Sequence, residues 1–246
     1  MKALASLLGA LLSAVVLVAA PSASAATTNV CPPGGISNAT IHGGLLVTND
    51  NYCTLDHVTV YGGITVESGS DVDLEGATVT GGVHVLPGGE VEVDPGSVFG
   101  DNLQVSIIRG GMTLRSAVDW DIETARISGA VRIIGGTEFS PTFCGNTVTG
   151  ALSIQGVSTG VMWFGDPNDE LFDCRGSVIS GSVWIRDSSF LEFEDNRVGG
   201  SVTVIGSTLE LNGNTIGGSL HCTGTTIVGG EPGDTAGNTV RGSNTC

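Results

Sequence analysis

Acidic residues alternate with apolar residues in two segments of this 246-residue chain, "DVDLE" (71–75) and "EVEVD" (90–94). The second segment follows the first by 19 residues, so their acids would stack if the segments were neighbouring strands of one sheet. Stacked carboxylates repel one another, and Ca²⁺, which binds several carboxylate oxygens, would relieve that repulsion. The candidate metal ligands are Asp73, Glu75, Glu92 and Asp94. The alternative is that these side chains spread into solvent with no ion between them.

Further acids lie beside tryptophan. The segment "RSAVDWDIETAR" (115–126) has three acids around Trp120, and "GVMWFGDPNDELFDC" (160–174) has Trp163. The acids of the second segment include Asp166, Asp169 and Glu170. Two carboxylates can serve glycoside hydrolysis, while carboxylates with an arginine can serve a β-elimination lyase in which Ca²⁺ acidifies a uronate. The candidate catalytic residues are Asp119, Asp121, Glu123 and Arg132.

The segments 71–75 and 90–94 belong to a repeat with the motif apolar-x-Gly-x-apolar, as in "VTGGV" and "ISGAV", and the two tryptophan segments are interpreted as insertions that interrupt it. With "FGDNL" taken as an imperfect fourth copy, the motif ends at ten anchor residues. These anchors are Leu45, Ile64, Val83, Leu103, Val131, Leu152, Val183, Val202, Leu220 and Asn244. A spacing near 20 residues, with many Val, Ile and Thr residues, is typical of a solenoid.

One repeat is interpreted as three short strands. Apolar residues alternate with polar ones around Val79, Val83 and Val91, and glycine-containing turns separate these segments. The pair Gly81–Gly82 is expected to turn a corner with positive φ. The repeat therefore predicts an all-β, single-domain parallel β-helix of about ten coils of ~19–21 residues, with right-handed connections favoured. An antiparallel β-sandwich is the alternative.

The residue after each anchor points outward in this scheme and forms a candidate ligand-binding column. Its central members are His84, Gln104, Arg132 and Trp184. An exposed tryptophan can stack on a sugar ring, while amide and guanidinium groups hydrogen-bond to sugar hydroxyls. Trp120 and Trp163 complete the candidates, because their segments are interpreted as insertions beside the column. The alternative is that these insertions cover the column.

The six cysteines fit three bridges between adjacent coils. Cys222 and Cys246 both lie two residues after an anchor, while Cys144 and Cys174 lie eight and nine residues before one. Coils stack ~4.8 Å apart, which suits the Cα separation of a disulfide. The predicted bridges are Cys31–Cys53, Cys144–Cys174 and Cys222–Cys246.

Four asparagines are in register in the same way. Each lies six residues before an anchor, so their amides are expected to form a ladder between stacked coils. These residues are Asn146, Asn196, Asn214 and Asn238.

Residues 1–25 are typical of a secretory signal peptide, with Lys2, a short apolar run and Ala23-Ser24-Ala25 before the cleavage site. The whole chain has a net charge of −16, and removal of Lys2, the only lysine, lowers it to −17. Such a chain is not expected to bind nucleic acid or anionic membranes, and no second apolar segment is long enough for a membrane span. The disulfide-closed domain would cover residues 26–246 and be extracellular.

The segments "TVTGGVHV" and "RVGGSVTV" resemble a group of secreted actinobacterial Gly-Gly repeat proteins. The tail "GNTIGGSLHCTGTTIVGGEPGDTAGNTVRGSNTC" is similar to their cysteine-closed final turn. A looser similarity is to the glycine-rich coils of bactofilins, which are polymer-forming β-helices. The resemblance covers nearly all of the chain after the signal peptide and implies a β-helix and export, without an assigned activity.

These observations favour a secreted, non-enzymatic β-helix with a binding or structural role at the cell surface or on extracellular glycan. No cofactor is required for that role, and Ca²⁺ is the one candidate ion. The alternative is a carbohydrate-active enzyme, either a polysaccharide lyase or a glycoside hydrolase, that uses acids and tryptophan from the two insertions. Thr-x-Thr pairs such as Thr78 and Thr80 leave an ice-binding face as a third interpretation.

Overall fold

The computed structural model describes residues 28–48, 50–96, 104–136, 141–158, 160–165, 174–229 and 237–246. These residues form thirty strands arranged in three parallel sheets of ten strands each, with no helix. The predicted single-domain parallel β-helix is confirmed, with about nine turns, and the β-sandwich alternative is wrong. The predicted signal peptide, 1–25, lies outside the described residues.

Each coil contributes one strand to each sheet, and equivalent strands of successive coils pair. Sheet A consists of β1 (Thr28–Val30), β4 (Gly44–Val47), β7 (Ile64–Val66), β10 (Val83–Val85), β13 (Met112–Arg115), β16 (Val131–Ile134), β19 (Leu152–Gln155), β22 (Val183–Arg186), β25 (Val202–Ile205) and β28 (Leu220–Thr223). Sheet B consists of β2 (Ile36–Ser37), β5 (Tyr52–Asp56), β8 (Asp71–Glu75), β11 (Glu90–Asp94), β14 (Asp119–Glu123), β17 (Thr142–Cys144), β20 (Met162–Phe164), β23 (Ser189–Glu194), β26 (Thr208–Asn212) and β29 (Thr226–Ile227). Sheet C consists of β3 (Thr40–His42), β6 (Thr59–Tyr61), β9 (Thr78–Val79), β12 (Ile107–Ile108), β15 (Arg126–Ile127), β18 (Thr147–Val148), β21 (Val178–Ile179), β24 (Arg197–Val198), β27 (Thr215–Ile216) and β30 (Thr239–Val240).

The core is a continuous column of apolar side chains enclosed by the three sheets. In the coil of residues 78–94, Val79, Val83 and Val93 are fully buried, while His84 between two buried valines is exposed. This alternation is what a strand with one buried face requires. Because every coil repeats it in register, outward side chains also line up in columns along the helix axis.

The Gly-Gly step forms the corner between sheets C and A, and its glycines are needed for close packing. The Gly81 N–H donates to the Gly62 carbonyl at 2.8 Å, and the Gly110 N–H donates to the Gly81 carbonyl at 2.9 Å. A Cβ atom on Gly81 would lie 2.5 Å from the Gly63 nitrogen, so stacked coils leave no space for a side chain. Positive φ, the predicted reason, does not occur at Gly81 or Gly82.

The predicted fourth anchor is wrong. Met112, not Leu103, pairs with Val83 of the preceding coil, and Leu103 lies outside the described residues. The segment "IRGGM" (108–112) matches the repeat motif better than "FGDNL" does. The additional residues of this coil therefore lie between strands β11 and β12.

The three predicted disulfides are present. Their Cα–Cα distances are 6.2 Å for Cys31–Cys53, 4.9 Å for Cys144–Cys174 and 4.9 Å for Cys222–Cys246. The described residues contain no free cysteine. Two of the bridges join coils at the two ends of the described stack.

The asparagine column connects coils mainly through the main chain. The Asn196 N–H donates to Asn214 Oδ1 at 2.9 Å, and Asn214 Nδ2 donates to the Phe193 carbonyl at 2.6 Å. Asn214 Nδ2 also donates to Asn238 Oδ1 at 2.9 Å, the side-chain contact of the predicted ladder. Asn146 and Asn196 are buried, so these bonds satisfy polar groups inside the helix.

The glycine corner gives a test of the fold. We expect Gly81→Ala to lower the free energy of unfolding by about 2–3 kcal/mol, because the new Cβ would overlap backbone of the adjacent coil. Gly229→Ala is the control, since a Cβ there would meet nothing within 4 Å, and its effect should stay within about 0.5 kcal/mol. Thermal or denaturant unfolding measures both. Equal stability of the two variants would contradict the close-packing role of Gly81.

Candidate functional site

The outer face of sheet B gathers nine carboxylates from three consecutive strands. Strand β11 pairs with β8 on one side and with β14 on the other, so each outward acid has an acid beside it. We call this set the acidic face. Its members are Asp71, Asp73, Glu75, Glu90, Glu92, Asp94, Asp119, Asp121 and Glu123.

The acidic face brings the predicted metal ligands and the predicted catalytic acids together on one sheet. The metal candidates lie on β8 and β11, and the catalytic acids Asp119, Asp121 and Glu123 continue the same three columns on β14. The segment 115–126 is therefore a regular part of a coil and not an insertion, which corrects the sequence interpretation. The error follows from the misplaced fourth anchor, because Asp119 lies seven residues after Met112, as Glu90 lies seven after Val83.

Asp73 is the most enclosed carboxylate of the acidic face. Its residue is 4% exposed, although it points away from the core like the other outward acids. Oδ2 accepts a hydrogen bond from the Tyr52 hydroxyl at 3.2 Å, and Oδ1 has no hydrogen-bond partner among the described residues. A buried carboxylate oxygen without a partner is costly when the group is ionised.

Hydroxyl and amide donors support the far edge of the acidic face. Asp121 Oδ1 accepts hydrogen bonds from both the backbone N–H and the hydroxyl of Thr142, each at 2.9 Å. The Thr142 hydroxyl is also 3.2 Å from Glu123 Oε1. Asp119 Oδ1 accepts the Trp120 N–H at 2.9 Å. These bonds hold the β14 carboxylates in defined positions.

Burial and the neighbouring acids raise the pKa values of three carboxyl groups of this face toward neutral pH. Burial, with smaller effects from Glu90 and Asp119, raises the pKa of Asp71 to about 6. Burial followed by the Glu75 carboxylate raises the pKa of Asp73 to about 7. Burial followed by a hydrogen bond with Asp94 raises the pKa of Glu92 to about 7. The acidic face therefore retains protons at a pH where ordinary carboxylates are ionised.

A further pKa on the third strand shifts in the same direction. Burial, then the charge of Asp94, raises the pKa of Glu123 despite its hydrogen bond from Thr142. All three strands of the acidic face thus include at least one carboxyl group that is a weaker acid than usual.

The acids of this face do not converge on a single point. Within the described ranges, no three His, Cys, Asp or Glu side chains are gathered closely enough to hold one metal ion. The Ca²⁺ site at Asp73, Glu75, Glu92 and Asp94 stays a prediction. Partial protonation relieves some of the repulsion on which that prediction depends.

The tryptophans of the two acid-rich segments differ in their accessibility. Trp120 is 2% exposed and packs in the core against Phe164, with ring centroids 5.8 Å apart, so it offers no face to a sugar. Trp163 lies on β20 and is half-buried on the outer face of sheet B, next to Thr142 in the pairing register. The acids Asp166, Asp169 and Glu170 lie outside the described residues.

The predicted ligand-binding column lies on the outer face of sheet A, with one change of membership. Thr113, not Gln104, is the neighbour of both His84 and Arg132, and Gln104 instead forms an isolated bridge with Gly96. Pairing then continues through Ser153 to Trp184. The column is a single straight row across sheet A.

Trp184 is the principal exposed aromatic of this row. Its residue is 48% exposed, and both neighbours along its strand, Val183 and Ile185, are fully buried. A shallow concavity beside the ring is lined by Ser153, Gln155, Trp184, Ile185, Arg186, Thr203 and Ile205. The ring thus lies next to an amide, a guanidinium and hydroxyl groups, all of which can hydrogen-bond to a sugar.

The proposed catalytic set is divided between two sheets. Asp119, Asp121 and Glu123 lie on sheet B, whereas Arg132 lies on sheet A with Trp184. The structure therefore does not bring these acids and Arg132 together on one surface. The threonine column of sheet C is likewise interrupted, with Ile107 and Arg126 following Thr78 in the register.

Comparison of the chain with protein-family models, with curated proteins and with solved structures gives no match. The described residues include no helix long and apolar enough to cross a membrane.

The acidic face predicts an unusual dependence of stability on pH. The pKa of Asp73 is about 7 in the folded chain, against an ordinary value of 3.8. The cost of ionising it is absent below about pH 4, accumulates as the pH rises from about 4 to about 7 and is complete above the folded pKa. We expect Asp73→Asn to raise the free energy of unfolding by about 2 kcal/mol at pH 8 and by little at pH 4.5.

The matched control for this prediction is Asp50→Asn. Asp50 is an exposed turn residue with a φ of 52°, a conformation that asparagine also adopts readily. Its substitution should change stability equally at both pH values. Melting curves of the parent and both variants at pH 4.5 and 8 provide the measurement, and a pH-independent effect of Asp73→Asn would contradict the strained-carboxylate account.

The Ca²⁺ prediction is tested separately. If the ion binds among the four candidate ligands, millimolar Ca²⁺ should raise the melting temperature at pH 8 by several degrees, and EDTA should reverse the change. The shift should be smaller for Glu92→Gln and unchanged for Glu210→Gln. Glu210 lies in the same outward column as Glu92 but outside the acidic face. A melting temperature that is insensitive to Ca²⁺ would exclude the site.

Proposed function

We propose that the protein is a secreted, non-enzymatic β-helix that binds extracellular or cell-wall glycan through the outer face of sheet A. The observation on which this depends is the exposed ring of Trp184 in a concavity with Gln155, Arg186 and Ser153. An aromatic ring beside amide, guanidinium and hydroxyl donors matches the alternating apolar and polar surfaces of a sugar.

The geometry of sheet A favours a long, linear ligand. Successive strands are about 4.8 Å apart, so the row from His84 to Trp184 extends over four strand steps, or about 19 Å. The polar side chains of Thr113 and Ser153 lie on either side of Arg132 in this row. A polysaccharide running along the helix axis would meet hydrogen-bonding groups at each step.

A binding role is favoured over catalysis by the distribution of the candidate residues. The carboxylates that could act as acid and base lie on sheet B, away from the tryptophan and arginine of sheet A. Elimination by a carboxylate and an arginine requires both groups at the same uronate, whereas hydrolysis requires two carboxylates that flank one glycosidic bond. The enzyme alternative would need the acidic face alone to bind and cleave a glycan.

Export is supported by the chemistry of the cysteines. Three disulfides in a chain of this size are typical of proteins that mature in an oxidising compartment. The amino-terminal segment predicted to be a signal peptide agrees with this. A folded, disulfide-linked rod with outward polar columns is suited to contact with extracellular polymers.

The test is binding of the purified protein to a panel of insoluble and soluble polysaccharides. We expect Trp184→Ala to weaken binding to the preferred polymer about tenfold, because the stacking surface is lost. Tyr61→Ala is the control, since Tyr61 is similarly exposed at 54% but lies on sheet C. Equal binding by the parent and the Trp184 variant would contradict the proposed site.

The same panel separates binding from catalysis. Reducing ends and the ultraviolet absorbance of unsaturated uronates are followed in parallel, with and without Ca²⁺. New reducing ends or unsaturated products from any polymer would overturn the non-enzymatic part of the proposal. Loss of such activity in Asp121→Asn would then assign it to the acidic face.

A further inference from the structure

We infer that the glycan bound by sheet A is an anionic polysaccharide with carboxylate groups, such as a polyuronate. This inference rests on the proposed function and specifies the chemistry of its ligand. The net negative charge of the whole chain would by itself disfavour an anionic ligand. The inference therefore depends on how charged residues are distributed among the three faces of the β-helix.

Acidic residues are segregated by sheet. The chain has 25 Asp and Glu residues, yet none occurs in any of the ten strands of sheet A. Every acid that lies in a described strand belongs to sheet B. Within the strands that the structure describes, acidic side chains are therefore confined to sheet B, and the strands of sheet A have none.

Arginines occur on the face that lacks strand acids. Arg115, Arg132 and Arg186 are all exposed on sheet A. Arg186 is paired with Asp187 in the following turn, with Nε and Oδ2 3.6 Å apart. For Arg115 and Arg132, no strand of the sheet provides a carboxylate partner. An exposed guanidinium presents a rigid fork of donors that matches a carboxylate.

The arginines and the tryptophan form one strip along the helix axis. Arg132 is two strand steps from Trp184, which is about 10 Å, with Ser153 between them. In the parallel column, Arg115 aligns with Ile134, then Gln155 and then Arg186, three strand steps away. A linear polymer with a charged group on its sugars would contact Trp184 and Arg132 together.

The acids of sheet B do not cancel this local charge at physiological ionic strength. The Debye length is about 8 Å at 0.15 M salt, so charges on another face of the rod are largely screened from a ligand on sheet A. At short range, the exposed guanidinium groups and the ring dominate the interaction. The excess of acids in the chain instead disfavours polyanions that cannot align with the narrow strip.

The experiment compares two polymers with the same sugar backbone, one with ionised carboxylates and one with neutral methyl esters. Binding to polygalacturonate and to its fully methyl-esterified form is measured at 0.15 M salt by affinity electrophoresis or calorimetry. We expect at least fivefold tighter binding to the carboxylate form. Arg132→Gln should remove most of that preference and leave binding to the ester nearly unchanged, because glutamine keeps hydrogen-bonding capacity without the charge.

Arg197→Gln is the matched control. Arg197 is exposed like Arg132, but it lies on sheet C. Its substitution should leave both affinities unchanged. If Arg197→Gln and Arg132→Gln had the same effect, the preference would reflect total charge and the inference would be wrong.

The outcomes separate this inference from the proposed function. Equal binding of both polymers, with loss in Trp184→Ala, would retain glycan binding and overturn the anionic preference. No binding to either polymer or to any other glycan would overturn both. Equally tight binding to duplex DNA would show that charge alone is recognised and would also overturn the inference.

Discussion

The structure depends on the close stacking of successive coils, and the corner between sheets C and A sets the limit of that stacking. There the backbone of one coil donates hydrogen bonds to the backbone of the next, and a Cβ on Gly81 would lie only 2.5 Å from a backbone nitrogen. A side chain at the Gly81 position of this corner would push adjacent coils apart and weaken the hydrogen bonds between them. Because the corner fixes each coil against its neighbour, residues at equivalent positions must align in columns.

The columns allow a single chain to present surfaces of different chemistry. Each outward residue on sheet B lies beside the equivalent outward residue of the adjacent coil. Acids at three outward positions of successive strands therefore form an array of carboxylates. The same register on sheet A builds a row that includes Arg132 and Trp184. Asp73 and Glu92 have raised pKa values because they are both crowded and partly buried, so ionisation of the acidic face has an electrostatic cost.

Much of this architecture could be predicted from the sequence, since its determinants are local and repeated. Alternation of apolar and polar residues indicates the strands. The offsets of cysteines from the anchors predict two of the three bridges, and Cys31–Cys53 follows as the remaining pair. The position of the fourth coil could not be predicted by spacing alone, because extra residues between β11 and β12 delay the next motif. Taking Leu103 in place of Met112 displaced Trp120 and the β14 acids from the core and the acidic face into a supposed loop. The near-complete burial of Asp73 could not be predicted from the sequence either. It depends on how Tyr52 of the preceding coil and the residues around Asp73 enclose the carboxylate.

The two terminal disulfides have a consequence for the lifetime of the folded rod. In a stack of repeats each coil contacts only its neighbours, so unfolding begins most easily at an end, where one of the two neighbours is missing. Cys31–Cys53 links the start of the described stack to β5, and Cys222–Cys246 links β28 to the last described turn. Fraying at either described end is thereby restrained by a covalent bond, and opening has to begin in the interior coils. The lifetime of the folded rod is thus set by the rate of opening of its middle and not by the loss of its ends.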